Sequence, residues 1–334
     1  MKKPLKIVIT TGDVDGIGLE ITAKALIKIG PKVGANFFLW RAPQASKKYL
    51  RRLDSYFKRQ TVLTWPEALK VSLDSPKVLV DINSNRPPGS WVEESAKAGL
   101  YGHVDAIATA PLSKTSIVAG GQKDLGHTEI LKRIAKSNPL YMSFVGDQFS
   151  VVLATGHLAV EEIAGQLSSE RLEAAIRHSM TLRQWLPKKQ ASKPIALVGL
   201  NPHAGESGLI GNEEQKYFLP LIEKLKKEKL PVDGPLVPDV AFQKQNWKKY
   251  SIYVSPYHDQ GLIPFKMIHG LAGVHITMGL PFVRTSVDHG TAKDIFGKDR
   301  ANPESMIQAL KWAIDLAKLK ADETKAKEKH ENES

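Results

Sequence analysis

The sequence has no cysteine in its 334 residues, which excludes disulfides, thiolate metal sites and cysteine nucleophiles. It also lacks any run approaching the roughly 20 consecutive apolar residues that span a bilayer, so no membrane partner is expected. Met1-Lys2-Lys3-Pro4 leads straight into an apolar run at Leu5–Thr10, with no signal-peptide apolar block or cleavage site. A cytoplasmic protein is the expectation. There is no internal repeat and no Pro/Gly/Ser-rich linker. The glycine-rich segment Thr10–Gly18 is not followed by Gly-Lys-Ser/Thr, which excludes a Walker phosphate loop, and it is not a true GxGxxG dinucleotide fingerprint.

What is present is an ordinary globular composition, 42% hydrophobic and 25% charged, at a length that favours two domains. The net charge is +12. Basic residues concentrate in 47–59 (KKYLRRLDSYFKR), where Tyr49, Tyr56 and Phe57 are interleaved. An RNA-contacting surface would have this composition. The expected reading is an amphipathic helix with a solvated basic face, and nucleic acid is not the expected partner.

Short apolar runs alternate with longer helical patterns, the signature of an α/β protein with a largely parallel sheet. Strands are expected at 6–10, 36–40, 77–81, 106–110, 150–154, 194–199, 251–255 and 273–278. Helices are expected at 17–29, 93–100, 129–136, 160–166, 169–186, 213–228 and 303–318. Asn302 can cap the last of these, with Pro303 in its first turn.

The chemistry-bearing residues lie just after these strands, where ligands gather in open α/β sheets. Three histidines, His157, His203 and His258, follow three apolar strands in equivalent places. They are either hydrogen-bonded loop residues or the neutral imidazole set of a first-row divalent ion. His127 and Thr128 open a helix and form either a cap or an anion site. Lys266 and Arg284 are cations in apolar surroundings, either structural ion pairs or counter-charges for phosphate. The first loop, with Gly12, is either a tight strand–helix connection or a ligand-approaching turn. The small and polar residues of 288–303 suit either a helix entry or backbone contact with a flat ligand.

In order along the chain, Gly126-His127-Thr128-Glu129, Ala154-Thr155-Gly156-His157, Gly199-Leu200-Asn201-Pro202-His203-Ala204-Gly205-Glu206 with Gly208, Gly211, Glu213 and Glu214, Tyr257-His258-Asp259-Gln260-Gly261, and GLPFVRTSVDHGTA at 279–292 form a specific series. Together, from about residue 5 to residue 318, they resemble the 4-hydroxythreonine-4-phosphate dehydrogenase family (PdxA-like). Residues 289–303 also resemble the adenosine-binding loop of the isocitrate and isopropylmalate dehydrogenases. The resemblance implies an isocitrate/isopropylmalate dehydrogenase-like two-domain α/β/α sandwich with a mixed, mostly parallel sheet. Its expected divisions are 1–118 with 293–320, then 119–292 carrying the metal and substrate residues, and a disordered charged tail at 321–334.

The resemblance further implies a homodimer with its site in the interdomain cleft near the subunit interface. His157, His203 and His258 then hold a divalent ion (zinc, magnesium or cobalt), contributed across the dimer. His127, Thr128, Lys266, His275 and Arg284 bind the substrate and its phosphate. Gly12, His289, Gly290, Thr291, Ala292 and Asn302 contact NAD or NADP. Asp239 and Asp259 are candidates for proton transfer or ligand orientation. The implied activity is oxidation of 4-phosphooxy-L-threonine to a 3-oxo acid that loses CO2, in pyridoxal phosphate biosynthesis. Two departures stand out. His275 replaces a family Asn, and TTGDVDGIGLE replaces a TPGxPAGIGPE-like loop. The first keeps open a related dehydrogenase acting on D-threonate or D-erythronate 4-phosphate.

Overall fold

The computed structural model describes residues 4–137 and 139–333, without the side chains of 324–333. Its strands are β1 Leu5–Thr10, β2 Ala35–Arg41, β3 Lys58–Val62, β4 Val78–Asn83, β5 Ala106–Thr109, β6 Tyr141–Val145, β7 Ser150–Leu153, β8 Ile195–Val198, β9 Val232–Leu236, β10 Ile252–Ser255, β11 Val274–Met278 and β12 Val283–Ser286. The helices used below are α1 Gly18–Ile29, α2 Lys47–Asp54, α3 Pro88–Leu100, α4 His127–Ala135, α5 Ser169–Trp185, α6 Leu219–Lys227, α7 His258–His269 and α8 Glu304–Glu333.

The chain divides into two units, Met1–Leu140 with Leu280–Ser334, and Tyr141–Gly279. The divisions therefore fall later than 118/119 and earlier than 292/293. The reason is packing. Helix α4 lies against α3 of the first unit, and β12 pairs with β5 there.

In the first unit the strands run β3-β4-β2-β1-β5-β12, with every pair parallel. These central strands read as continuous apolar runs because both faces are covered: all six residues of Val8, Ile9, Phe37, Phe38, Leu79 and Val80 are buried. Trp40 and Trp91 stack in its core, centroids 6.5 Å apart and 9° from parallel. In the second unit the order is β11-β6-β7-β10-β8-β9. There β11–β6 and β6–β7 are antiparallel and the rest parallel. Helix α5 packs on β7, β8 and β10, and α7 on β7 and β10.

The basic run departs from the single helix expected over 47–59. Helix α2 stops at Asp54, and Lys58–Val62 is the edge strand β3. Tyr49 and Phe57 are buried, Phe57 edge-on against Phe37. Arg59 pairs with Asp54 and with the buried Asp81, while Lys48 pairs with Asp299. Two of the three interleaved aromatics thus belong to the core, and several of the cations are neutralised locally, which corrects the RNA-surface reading. The last helix also exceeds expectation. It runs to Glu333 rather than giving way to a disordered tail at 321, because 321–333 is rich in the strong helix formers Ala, Glu and Lys. Ser334 lies outside the described residues. At its start the expected cap is present, Asn302 Oδ1 accepting from Glu304 N at 2.9 Å. No helix among the described residues is long and apolar enough to cross a membrane.

Candidate active site

In the second unit β10 lies between β7 and β8, all three parallel, so their carboxyl ends share one edge. The segments leaving that edge carry His157, His258 and His203 in turn. The rings of His157 and His258 come together, centroids 5.0 Å apart. His203 does not join them: among the described residues no three His, Asp or Glu side chains of one chain close around a common point. His258 is the first residue of α7 rather than part of a loop. Its Nδ1 lies 2.7 Å from Asp259 Oδ1, a contact of the kind that orients an imidazole ligand. Asp239 sits exposed on a short helix, Pro238–Ala241, that packs against the turn carrying His203.

That turn is unusual. Five consecutive residues, His203–Ser207, adopt left-handed φ values of 53°, 52°, 81°, 43° and 58°. Four of them are not glycine, and each such residue costs about 1–2 kcal/mol in this conformation. Strain of this kind persists only where the surroundings over-determine it, and it clusters at functional sites. Here the surroundings include Glu214, a carboxylate only 2% exposed. Its Oε1 accepts from Leu200 N at 2.8 Å and Asn201 N at 2.7 Å, and its Oε2 from Asn201 Nδ2 at 2.8 Å. Glu213 Oε2 accepts from the same Nδ2 at 2.8 Å, and this hydrogen bond leads in holding its pKa below the usual value.

Lys266 and His275 also belong to this unit. Lys266 is not buried in apolar surroundings. It lies on the outer face of α7, exposed, while Leu262 and Phe265 turn inward. His275, on β11, is the direct cross-strand partner of Phe144 and stacks on it, centroids 4.9 Å apart and 15° from parallel.

The first unit gathers the other expected group. Arg284, on β12, is 2% exposed and donates from Nη2 to Thr109 Oγ1 at 2.7 Å. Burial lowers its pKa to about 9, so it stays charged at neutral pH. His127 opens α4 with its Nε2 enclosed and without a hydrogen-bond partner. Burial first, and then the Arg284 charge, push its pKa down to about 3. Neither His127 nor Thr128 caps the helix. The cap residue is Gly126, which contributes no side-chain hydrogen bond. The amides of α4, an enclosed imidazole and a buried guanidinium thus share one region that favours an anion.

The depressed His127 pKa has a measurable consequence. The folded chain keeps this imidazole neutral, whereas the unfolded chain protonates it below about 6.5. Its penalty on folding is absent above that value and grows as the pH falls toward 3. Between about pH 7.5 and about pH 4.5 the thermal midpoint of the wild type is therefore expected to fall more steeply than that of His127→Gln. Parallel curves would remove His127 as the cause.

The two glycine-rich segments expected to meet a nucleotide are fastened to each other. Ile17 N donates to Thr291 O at 3.0 Å, and Lys293 pairs with Asp13 at 3.1 Å and Asp15 at 2.9 Å. Glu20 Oε1 accepts from Ala301 N at 2.7 Å. Burial raises the Asp13 pKa, but hydrogen bonds from Ser113, Ser116 and Lys293 together outweigh it and leave the carboxyl below its usual value. Gly12 has a reason of its own. At φ +67° a Cβ there would lie 1.9 Å from Pro111 O, so the chain's own backbone demands the glycine. His289, Gly290, Thr291 and Ala292, the last with φ 44°, form the loop that follows β12, and Asn302 is used as the helix cap.

Sequence reasoning gave no role to Thr109, Asp13, Asn201, Glu213 or Glu214. The adjacent Glu213-Glu214 pair closing a Gly- and Asn-rich motif was the one available signal. A carboxylate's burial is a tertiary property that the motif does not carry.

The family described as pyridoxal phosphate biosynthetic protein PdxA matches residues 64–313. A 4-hydroxythreonine-4-phosphate dehydrogenase of Sulfurihydrogenibium sp. (strain YO3AOP1) is 34% identical over 325 residues, covering 95% of this chain and 99% of the relative. A D-threonate 4-phosphate dehydrogenase of Salmonella typhimurium is 36% identical over 327 residues, covering 93% and 98%. The crystal structure of a 4-hydroxythreonine-4-phosphate dehydrogenase from Klebsiella pneumoniae aligns with a TM-score of 0.75 at 29% identity, over 95% of this chain and 98% of that one. A beta-decarboxylating dehydrogenase from Thermococcus kodakarensis shares the fold, with a TM-score of 0.50 at 13% identity. With the family match spanning most of its length, this chain belongs to the PdxA family and is a dehydrogenase.

Proposed function

We propose that this protein oxidises 4-phosphooxy-L-threonine with a nicotinamide cofactor, giving a 3-oxo acid that loses CO2 to yield 3-amino-2-oxopropyl phosphate, a step of pyridoxal phosphate biosynthesis in the cytoplasm. The observation that carries this reading is the placement of His157, His258 and His203 after three neighbouring parallel strands, with two of the rings already 5.0 Å apart. Three neutral imidazoles are a fitting donor set for zinc or cobalt, and Asp259 orients one of them. A divalent ion held by His157, His203 and His258 would supply Lewis-acid polarisation of the substrate hydroxyl, and bound NAD or NADP would supply the hydride acceptor.

The protein's own residues bind and orient. Arg284, His127 and Thr128 take the phosphate. His258 and His157 face the reacting end, and Asp239 is the proton acceptor placed beside the His203 turn. The joined segments at 12–18 and 289–302 hold the nucleotide. In this reading a second copy of the chain supplies at least one of the three histidines. The apolar residues that α7 exposes farther along from His258, Ile263 at 59% and Met267 at 79%, suit a homodimer contact.

A second reading, D-threonate 4-phosphate as substrate, is favoured by one observation: a relative of that name is as similar as those named for hydroxythreonine phosphate. His275 is the residue to test. The two substrates differ at C2, amino in one and hydroxyl in the other, and an imidazole lacks the paired donor and acceptor of an amide. The measurement is kcat/KM for both substrates in the wild type and His275→Asn. The reading predicts preference for 4-phosphooxy-L-threonine in the wild type, increased by the substitution. A wild type that prefers D-threonate 4-phosphate would replace it with the second reading.

A further inference from the structure

The turn that carries His203 is left-handed over five residues, and nothing in its own sequence favours that conformation except Gly205. Its stability must come from outside it. Three consecutive residues, 213–215, grip it at separate points. Glu213 accepts from the Asn201 side-chain amide at 2.8 Å. Glu214 accepts from both backbone amides at the entry, Leu200 N and Asn201 N, and from the same Asn201 amide. Glu214 Oε2 also packs against the middle of the turn, 2.8 Å from where a Cβ on Gly205 would sit. Gln215 Nε2 donates to Ser207 O at 2.6 Å, at the exit. Gly211, at φ +79°, makes room for this arrangement, since a Cβ there would lie 2.5 Å from Asn201 Nδ2. The central member, Glu214, is almost fully enclosed, and all three of its hydrogen-bond donors come from residues 200 and 201, immediately ahead of Pro202-His203.

We propose that Glu214 is a positioning residue whose buried carboxylate fixes the left-handed turn presenting His203, and thereby sets the affinity of the histidine site for a divalent cation. The proposal rests on the reading of His203 as a ligand of that site. Its chemistry is that of an outer partner orienting a ligand one step removed, an effect that typically amounts to 10–100-fold in metal affinity. An amide in place of the carboxylate keeps an oxygen for the two backbone donors. It puts an NH2 against the Asn201 amide, donor facing donor. Rotating Asn201 would bring its oxygen against the Glu213 carboxylate instead. The substitution Glu214→Gln therefore perturbs the clamp with almost no change of volume.

The test uses the full chain stripped of metal and titrated with Co²⁺, followed by the d–d absorption of the bound ion, in the wild type, His203→Ala, Glu214→Gln and Asn201→Ala. Thermal unfolding of the metal-free proteins runs in parallel. The expected result is that Glu214→Gln weakens Co²⁺ binding about 10–100-fold and alters the d–d band, with metal-free unfolding still cooperative. Wild-type affinity and band in Glu214→Gln, together with weakened binding in His203→Ala, would overturn the positioning role alone. Wild-type affinity in His203→Ala would overturn the ligand reading, and the proposal with it. Should Glu214→Gln not fold, Asn201→Ala reads the same quantity: it removes the shared amide but leaves the backbone amides on Glu214. Unchanged Co²⁺ affinity there counts against the proposal in full.

Discussion

His258→Ala is expected to lower kcat by about 100- to 10,000-fold, the equivalent of the several kcal/mol that a Lewis acid contributes to a developing charge at about 1.36 kcal/mol per decade. His258 is placed for this role by three features: it follows the central strand of the three parallel strands, its ring lies 5.0 Å from that of His157, and its Nδ1 meets Asp259. The loss should appear in turnover and in the d–d spectrum of added Co²⁺, while NAD⁺ binding stays as in the wild type, because the joined loops at 12–18 and 289–302 belong to the other unit. Added zinc or cobalt should not restore the rate. Turnover within a few-fold of wild type would mean that His258 is only a helix-opening residue.

Arg284→Met is expected to raise KM for the phosphorylated substrate by about 10- to 150-fold, from the roughly 1.5–3 kcal/mol of a charge-assisted hydrogen bond. Methionine keeps much of the volume within the core, so the change removes charge more than packing. The alternative, a purely structural arginine, predicts a lower thermal midpoint with unchanged KM. A second readout separates the two. Inorganic phosphate should raise the thermal midpoint of the wild type by binding the folded chain alone, and should leave the variant unmoved. Thermal scans of both proteins across phosphate concentration read this directly. The same shift in each would place phosphate elsewhere.

The alternation of apolar runs and helical patterns locates eight of the strands, most of them apolar runs in parallel pairings with both faces buried. Three of the remaining four announce themselves poorly. Strand β3 reads Lys-Arg-Gln-Thr-Val, an edge whose charges are satisfied by Asp54 and Asp81 and are invisible to periodicity. Strand β9 contains Gly234-Pro235, and β12 carries Arg284 in a four-residue span. Helix α7 was obscured by Gly261 and Pro264, residues that ordinarily argue against a helix interior. At the site, the histidines were legible because they repeat one position after three strands. Arg284 stood out because a lone cation in an apolar run is rare. Lys266, in the same kind of context, proved to lie on the outer face of a helix, since an apolar run with helical periodicity has an outside. The clamp at 213–215 was not legible. Its meaning depends on five left-handed residues, and four of those are not glycine.

The central claim is that the protein is a dehydrogenase of a phosphorylated four-carbon hydroxy acid with a metal-requiring, decarboxylating reaction. The most direct measurement incubates the full-length protein with NAD⁺, 4-phosphooxy-L-threonine and a divalent ion, and follows NADH and released CO2 together. The account predicts equal amounts of both products, abolished by a chelator and restored by zinc or cobalt. No NADH from that substrate, with any divalent ion and with either NAD⁺ or NADP⁺, would contradict it.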